Sequence, residues 1–119
     1  MALKINARSL DGVAIVDCSG RVVFGDEANE LRDTVKDQLA ANQKKIVINL
    51  EGVSYIDSGG LGTLVGLYTS ARTNGGTVKL AALNSRVIDL LQVTKLLTVF
   101  EVFDKAEDAV SSFSKAAVA

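Results

Sequence analysis

Histidine is absent from this 119-residue sequence, and cysteine occurs once, at Cys18. The first absence removes the general base that a serine nucleophile most often borrows near neutral pH. It also removes the commonest metal ligand, so with a single thiol any metal would need an all-oxygen site. Most of the acidic residues fall on helix faces or at helix caps rather than at ligand spacing, and read as solvated surface. A lone cysteine excludes an internal disulfide and fits a reducing compartment. No apolar run approaches the ~20 residues that cross a bilayer. Lys4, Asn6 and Arg8 interrupt the first apolar residues, so a secretory signal pattern is missing and a cytoplasmic location is expected. A formal net charge of −1 gives no reason to expect nucleic acid or an anionic membrane as partner.

What is present is ordinary for a globular chain: 48% hydrophobic and 23% charged residues. This length suffices to bury roughly two-thirds of the unfolded surface without staples. With no repeat, low-complexity stretch or linker, residues 1–119 are expected to form one domain.

The hydrophobic period then divides the chain. Residues 2–9 alternate, with Leu3, Ile5 and Ala7 on one face, as in a half-buried strand near a sheet edge. Asp11-Gly12 signals a two-residue hairpin, so the next strand, residues 13–20, should run antiparallel to the first. On it Ala14, Val16 and Cys18 share a face, making Cys18 a small core residue. Residues 20–25 continue as a short extended piece. From Asp26 the period changes to three and four: Ala28, Leu31, Val35 and Leu39 trace a helix that Asn42 ends. Residues 44–50 read as a strand covered on both faces. A second helix carries Leu61, Leu64, Val65, Tyr68 and Ala71 inward and stops at Asn74-Gly75-Gly76. A strand over residues 77–83 and a helix over residues 84–94 follow, with Asn84 or Ser85 as cap and Val87, Ile88, Leu90 and Leu91 inward. Residues 98–103 are expected to be the last strand. Residues 104–119 form the last helix, with Asp104 and Glu107 at capping-box spacing and Ala106, Ala109, Val110 and Phe113 buried. The sum is an α/β fold: a mixed sheet, hairpin first and βα units after, covered by about four helices.

One corner stands out. An apolar run ends in Asp57-Ser58-Gly59-Gly60-Leu61-Gly62 and turns helical with no intervening proline. Nucleophilic catalysis by Ser58 lacks its base, since no histidine exists and no lysine is paired with it in sequence; a nucleophile elbow would also want Gly-x-Ser-x-Gly. Gly60-x-Gly62, after a strand and opening a helix, is a partial phosphate cradle, but the acid expected at the end of the next strand is replaced by Leu83-Asn84. A plain helix cap explains Asp57. It explains three glycines less well, because glycine in a helix costs roughly 1 kcal/mol against alanine. A regulatory serine is a fourth reading beside these: the first turn of a helix tolerates a phosphate, and the added charge of about −1.5 to −2 would repel a docked partner.

The stretch from Ile46 to Val110 carries more. Tyr55-Ile56-Asp57-Ser58-x-Gly60-Leu61-Gly62, Gly75-Gly76 before a strand, and Leu90-Leu91-x-x-Thr94-x-Leu96 resemble the STAS domain of anti-sigma factor antagonists, over nearly the whole chain. The resemblance implies a bacterial partner-switching regulator of transcription with no catalytic residue, cofactor or metal. Its unphosphorylated form would bind an anti-sigma factor, a serine protein kinase, and set a sigma factor free. The kinase would phosphorylate Ser58, and a phosphoserine phosphatase would reverse it. Asp57 would cap and orient, Gly59, Gly60 and Gly62 would form a low-relief docking surface, and Gly25 and Asp26 would be further contacts on the neighbouring loop. The family often has Ser or Thr after the phosphorylated serine, where this chain has Gly59. It also often presents an acid in the loop after the second strand; here that acid is missing or displaced to Asp26. An alternative implied by the same resemblance is a constitutive STAS subunit of a larger assembly, such as a lipid transporter or stress-sensing complex, in which the Ser58 corner is architecture.

Overall fold

A computed structural model describes residues 3–118; Ala2 of the expected first strand and Ala119 of the expected last helix lie outside them. In chain order the elements are β1 (Lys4–Leu10), β2 (Val13–Val22), α1 (Asp26–Ala40), β3 (Lys45–Ile56), α2 (Ser58–Thr73), β4 (Thr77–Ala81), α3 (Ser85–Val93), β5 (Val102–Phe103) and α4 (Ala106–Val118). The strands form one sheet in the order β1-β2-β3-β4-β5, antiparallel between β1 and β2 and parallel thereafter. This is the mixed α/β architecture that the sequence predicts. At the hairpin, Asp11 and Gly12 both take positive φ (52° and 78°), as a type I′ turn requires.

Two cores sandwich the sheet because β2, β3 and β4 are buried on both faces. Ala14, Val16, Cys18, Ile46 and Ile48 point toward α1, α2 and α3, packing with Leu31, Val35, Leu64 and Leu91. The alternate residues Val13, Ile15 and Val47 pack against Ala106, Ala109, Val110 and Phe113 of α4. Cys18 is the core residue its pattern indicates, and burial pushes its thiol up to about 12, which leaves it unreactive.

Several boundaries differ from the sequence reading, each for a tertiary reason. Ala7 is exposed: β1 is the outermost strand, and its apolar cover reaches Leu3 and Ile5 only. Leu67, outside the expected stripe of α2, is buried, while Val65 and Tyr68 are half-buried. β3 runs six residues past Leu50 because β2 continues through Val22 and supplies partners for Gly52, Val53, Tyr55 and Ile56. The expected strand over residues 98–103 shortens to Val102–Phe103, with Phe100 turned into the core. The Asp104–Glu107 capping box does not form: α4 starts at Ala106, one residue too late for Asp104 to be its cap, and Lys105 contributes the carbonyl that the Asp108 and Ala109 amides reach.

Lys79 is an unforeseen buried cation, 3% exposed on β4. Alternation along a doubly covered strand forces it toward α4. There its Nζ donates to Ser112 Oγ (2.7 Å), lies 3.4 Å from Glu101 and sits 4.1 Å from the Phe113 ring centroid.

α3 ends in a Schellman turn: the Leu96 N–H donates to the Leu91 carbonyl and the Lys95 N–H to that of Gln92. The turn needs a left-handed residue, and Lys95 takes φ +62° there. A side chain in that conformation costs about 1–2 kcal/mol that glycine avoids, partly offset by glycine's greater unfolded entropy. Lys95→Gly is therefore expected to stabilise the protein by about 0.5–1 kcal/mol. Denaturant titration should show a raised midpoint at unchanged slope.

Candidate functional site

The parallel pairing of β2 with β3 sets Arg21 beside Tyr55 and Val22 beside Ile56, so both strands end side by side. The loops that leave them, residues 23–25 and Asp57, therefore meet. Asp57 is the N-cap of α2, accepting from the Gly60 N–H at 2.8 Å, as the sequence predicts. The same carboxylate also accepts the Phe24 N–H at 3.1 Å on each oxygen, and the Asp57 N–H donates to the Val22 carbonyl at 3.3 Å. Asp57 is thus a clamp between the β2–α1 loop and the start of α2.

The amides of Gly60 and Phe24 hold the Asp57 carboxyl below the ordinary carboxylate range. Its folded pKa lies below its unfolded one, so the clamp contributes fully above the ordinary carboxylate pKa and fades as pH falls through the lowered value. Asp57→Ala should cost about 1–2 kcal/mol at neutral pH, the range for losing a capping side chain. The cost should shrink toward acid. Thermal melts of both proteins across pH 3–7, about the carboxylate range, check the prediction; a pH-independent difference would contradict it.

Ser58 is the first residue of α2 and is exposed. Because Asp57 turns away into backbone amides, no carboxylate is spent on the serine hydroxyl. The three glycines divide by environment. A Cβ on Gly60 would lie 2.0 Å from the Val22 carbonyl oxygen, and one on Gly59 2.5 Å from Phe24 Cβ. Both glycines serve close approach of α2 to the loop, and Gly60 is buried. Its N–H is engaged by Asp57, which removes the centre of the phosphate-cradle reading. Gly62 is exposed with open space above it, so no close approach accounts for it. Gly25 caps α1 at φ 108°, ψ −139°, a conformation that suits glycine. Asp26, exposed in the first turn of α1, lines neither of the hollows that flank the corner.

Those hollows frame Ser58. On one side a groove of about 410 Å³ between α1 and α2 is lined by Phe24, Gly25, Gly59, Gly62 and Gly66 among others. On the other, a hollow of about 260 Å³ lies between Tyr55, Ser58, Arg86 and Leu90. Asn84 fixes that second wall: it caps α3 by accepting from Val87 N–H (2.9 Å) and donates to the Val53 carbonyl of β3 (2.9 Å). Sequence reasoning missed Phe24, 81% exposed, and Arg86. An aromatic residue in a loop next to a helix start is a signal for Phe24; nothing in the sequence places Arg86 beside Ser58.

The STAS domain family model matches residues 4–109. This chain belongs to the STAS domain family. The anti-sigma-B factor antagonist of Listeria monocytogenes is 36% identical over 106 residues, covering 86% of this chain and 88% of that protein. That of Bacillus subtilis is 38% identical over 72 residues, 60% of this chain and 66% of that one. The Bacillus cell fate determinant SpoIIAA, solved in its phosphorylated form, shares the fold at 15% identity with a TM-score of 0.72, covering 92% of this chain and 99% of that one. Among the described residues of this STAS domain, no helix is long and apolar enough to cross a membrane.

Proposed function

We propose that this STAS domain is an anti-sigma factor antagonist whose binding is gated by phosphorylation of Ser58. The observation that carries the reading is the outward serine at the start of α2, its neighbouring carboxylate committed to the Gly60 and Phe24 amides. It stands in a chain whose bacterial relatives are named anti-sigma factor antagonists, and a protein of the same fold has been solved phosphorylated. The unphosphorylated form binds an anti-sigma factor with serine kinase activity and releases a sigma factor. In the gating step Ser58 Oγ forms a bond to the γ-phosphorus of ATP as ADP leaves, and the hydroxyl proton passes to a base on the kinase. A phosphoserine phosphatase hydrolyses the ester, returning the hydroxyl and releasing inorganic phosphate.

The partner surface centres on Ser58, with Gly59, Gly62 and Gly25 beside it and Asp26 at its rim. Asp57 and Gly60 act from beneath by fixing the corner. Phe24 adds an exposed aromatic ring of the kind that anchors interfaces. A pull-down from host lysate with the unphosphorylated protein, repeated with Ser58→Glu, tests the class. Capture of an anti-sigma factor by the first alone is expected; capture by both would contradict the gate.

A further inference from the structure

The hollow on the α3 side of Ser58 carries one cation that the fold leaves uncommitted. Its charged lining consists of Asp57, from the β3–α2 junction, and Arg86, from α3. Asp57 faces the Gly60 and Phe24 amides. Arg86 has no hydrogen bond or ion pair among the described residues, whereas Arg8 and Lys79, for example, are paired with Asp17 and Glu101. Its position is nevertheless built. Asn84 ties the start of α3 to β3, and Val87, the next residue along, is buried. The backbone that carries Arg86 is therefore held against the strand that ends at the serine.

We propose that Arg86 is the internal receptor for the phosphate on Ser58: its guanidinium closes across the hollow and holds the dianion there. The inference rests on the proposed phosphorylation of Ser58. Guanidinium is suited to the task because its planar fork donates two parallel hydrogen bonds to a phosphate and stays charged throughout the physiological range. Two consequences follow from the geometry. The phosphate occupies the space between Tyr55 and Leu90, so a partner side chain that enters this hollow in the unphosphorylated state is excluded. The paired dianion also binds its last proton less tightly, so the modified state keeps its full charge at mildly acid pH.

The test uses the full chain with phosphoserine installed at position 58 by genetic encoding, and reads the phosphate by phosphorus NMR across a pH titration. A free phosphoserine takes up its last proton near pH 6, so a phosphate held by Arg86 should titrate at least about 0.5 lower, a threefold change in proton affinity. Arg86→Gln should raise the titration by at least that amount, leaving only the influence of the α2 N-terminus and of Asp57, and Arg86→Lys should fall between. Superimposable titrations for the parent and Arg86→Gln would overturn the proposal. Thermal melts of the unphosphorylated variants should match the parent, since Arg86 holds nothing in that state; Arg86→Lys, which keeps the charge, supplies the comparison if Arg86→Gln is destabilised. Because the phosphate is installed rather than added by a kinase, failure here is separable from failure of the switch. A phosphorylated chain that still binds the anti-sigma factor would end the switch and leave the Arg86 result standing.

Discussion

Replacing Ser58 with aspartate or glutamate is expected to weaken binding to the anti-sigma factor at least ~100-fold, with little change in melting temperature. The asymmetry comes from where the residue stands. Ser58 is exposed at the first position of α2, where the positive end of the helix accepts a negative charge without cost to the fold. A partner seated on Gly62 and Phe24 meets that charge directly, beside the carboxylate of Asp57. Unfavourable juxtaposition of this kind costs several kcal/mol, and about 2.7 kcal/mol already corresponds to 100-fold. Ser58→Ala should bind as the parent does while refusing the phosphate. Titration calorimetry against the purified anti-sigma factor, paired with thermal melts, separates affinity from stability.

Gly60→Ala has the largest expected effect on stability, about 3 kcal/mol or more, because one added carbon meets backbone rather than a movable side chain. The new Cβ would stand 2.0 Å from the Val22 carbonyl oxygen and 2.8 Å from its carbon. Withdrawal of α2 is resisted by the Asp57 clamp, which ties the first turn to Phe24, and by Leu61 and Leu64 in the core below. The strand end at Val22 cannot retreat either, since it is paired with Ile56. Something must break, and the clamp is the candidate. Chemical denaturation of Gly60→Ala beside the parent measures the loss; a difference under about 1 kcal/mol would contradict this packing account.

The two predictions separate what the sequence makes legible at this corner from what it hides. Strong periodicity made α1, with Ala28, Leu31, Val35 and Leu39 inward, and the doubly buried start of β3 readable, because those patterns are local. The second half of β3 was not readable. Glu51, Gly52, Ser54 and Tyr55 break the apolar run, and only pairing with Ser19, Gly20 and Arg21 makes a strand of it. The same non-local pairing brings Phe24 to Asp57 and gives the carboxylate its second task. A three-residue spacing predicts that Asp57 caps α2, but no spacing predicts a hydrogen bond 33 residues back along the chain.

The glycines show the same division more sharply. As letters they are alike, and a surplus of bare backbone reads as one flat surface. In the folded chain Gly60 faces a carbonyl, Gly59 faces Phe24, and Gly62 faces open space. Close approach of α2 to the end of β2 and the loop after it therefore accounts for two of the three, and Gly62, with Gly66 one turn on, is the exposed bare backbone beside the serine. Arg86 was hidden for a further reason. Its place depends on Asn84 reaching back to Val53, a side-chain contact across 31 residues that fixes where α3 begins against the sheet.

The central claim, that a phosphate on Ser58 switches partner binding, is tested most directly by one comparison. The dissociation constant of the anti-sigma factor is measured for the unphosphorylated chain and for the same chain carrying phosphoserine at position 58, with the fold of both checked by circular dichroism. The account predicts a loss of at least ~100-fold on phosphorylation with the fold unchanged. Equal dissociation constants for two equally folded chains would contradict it.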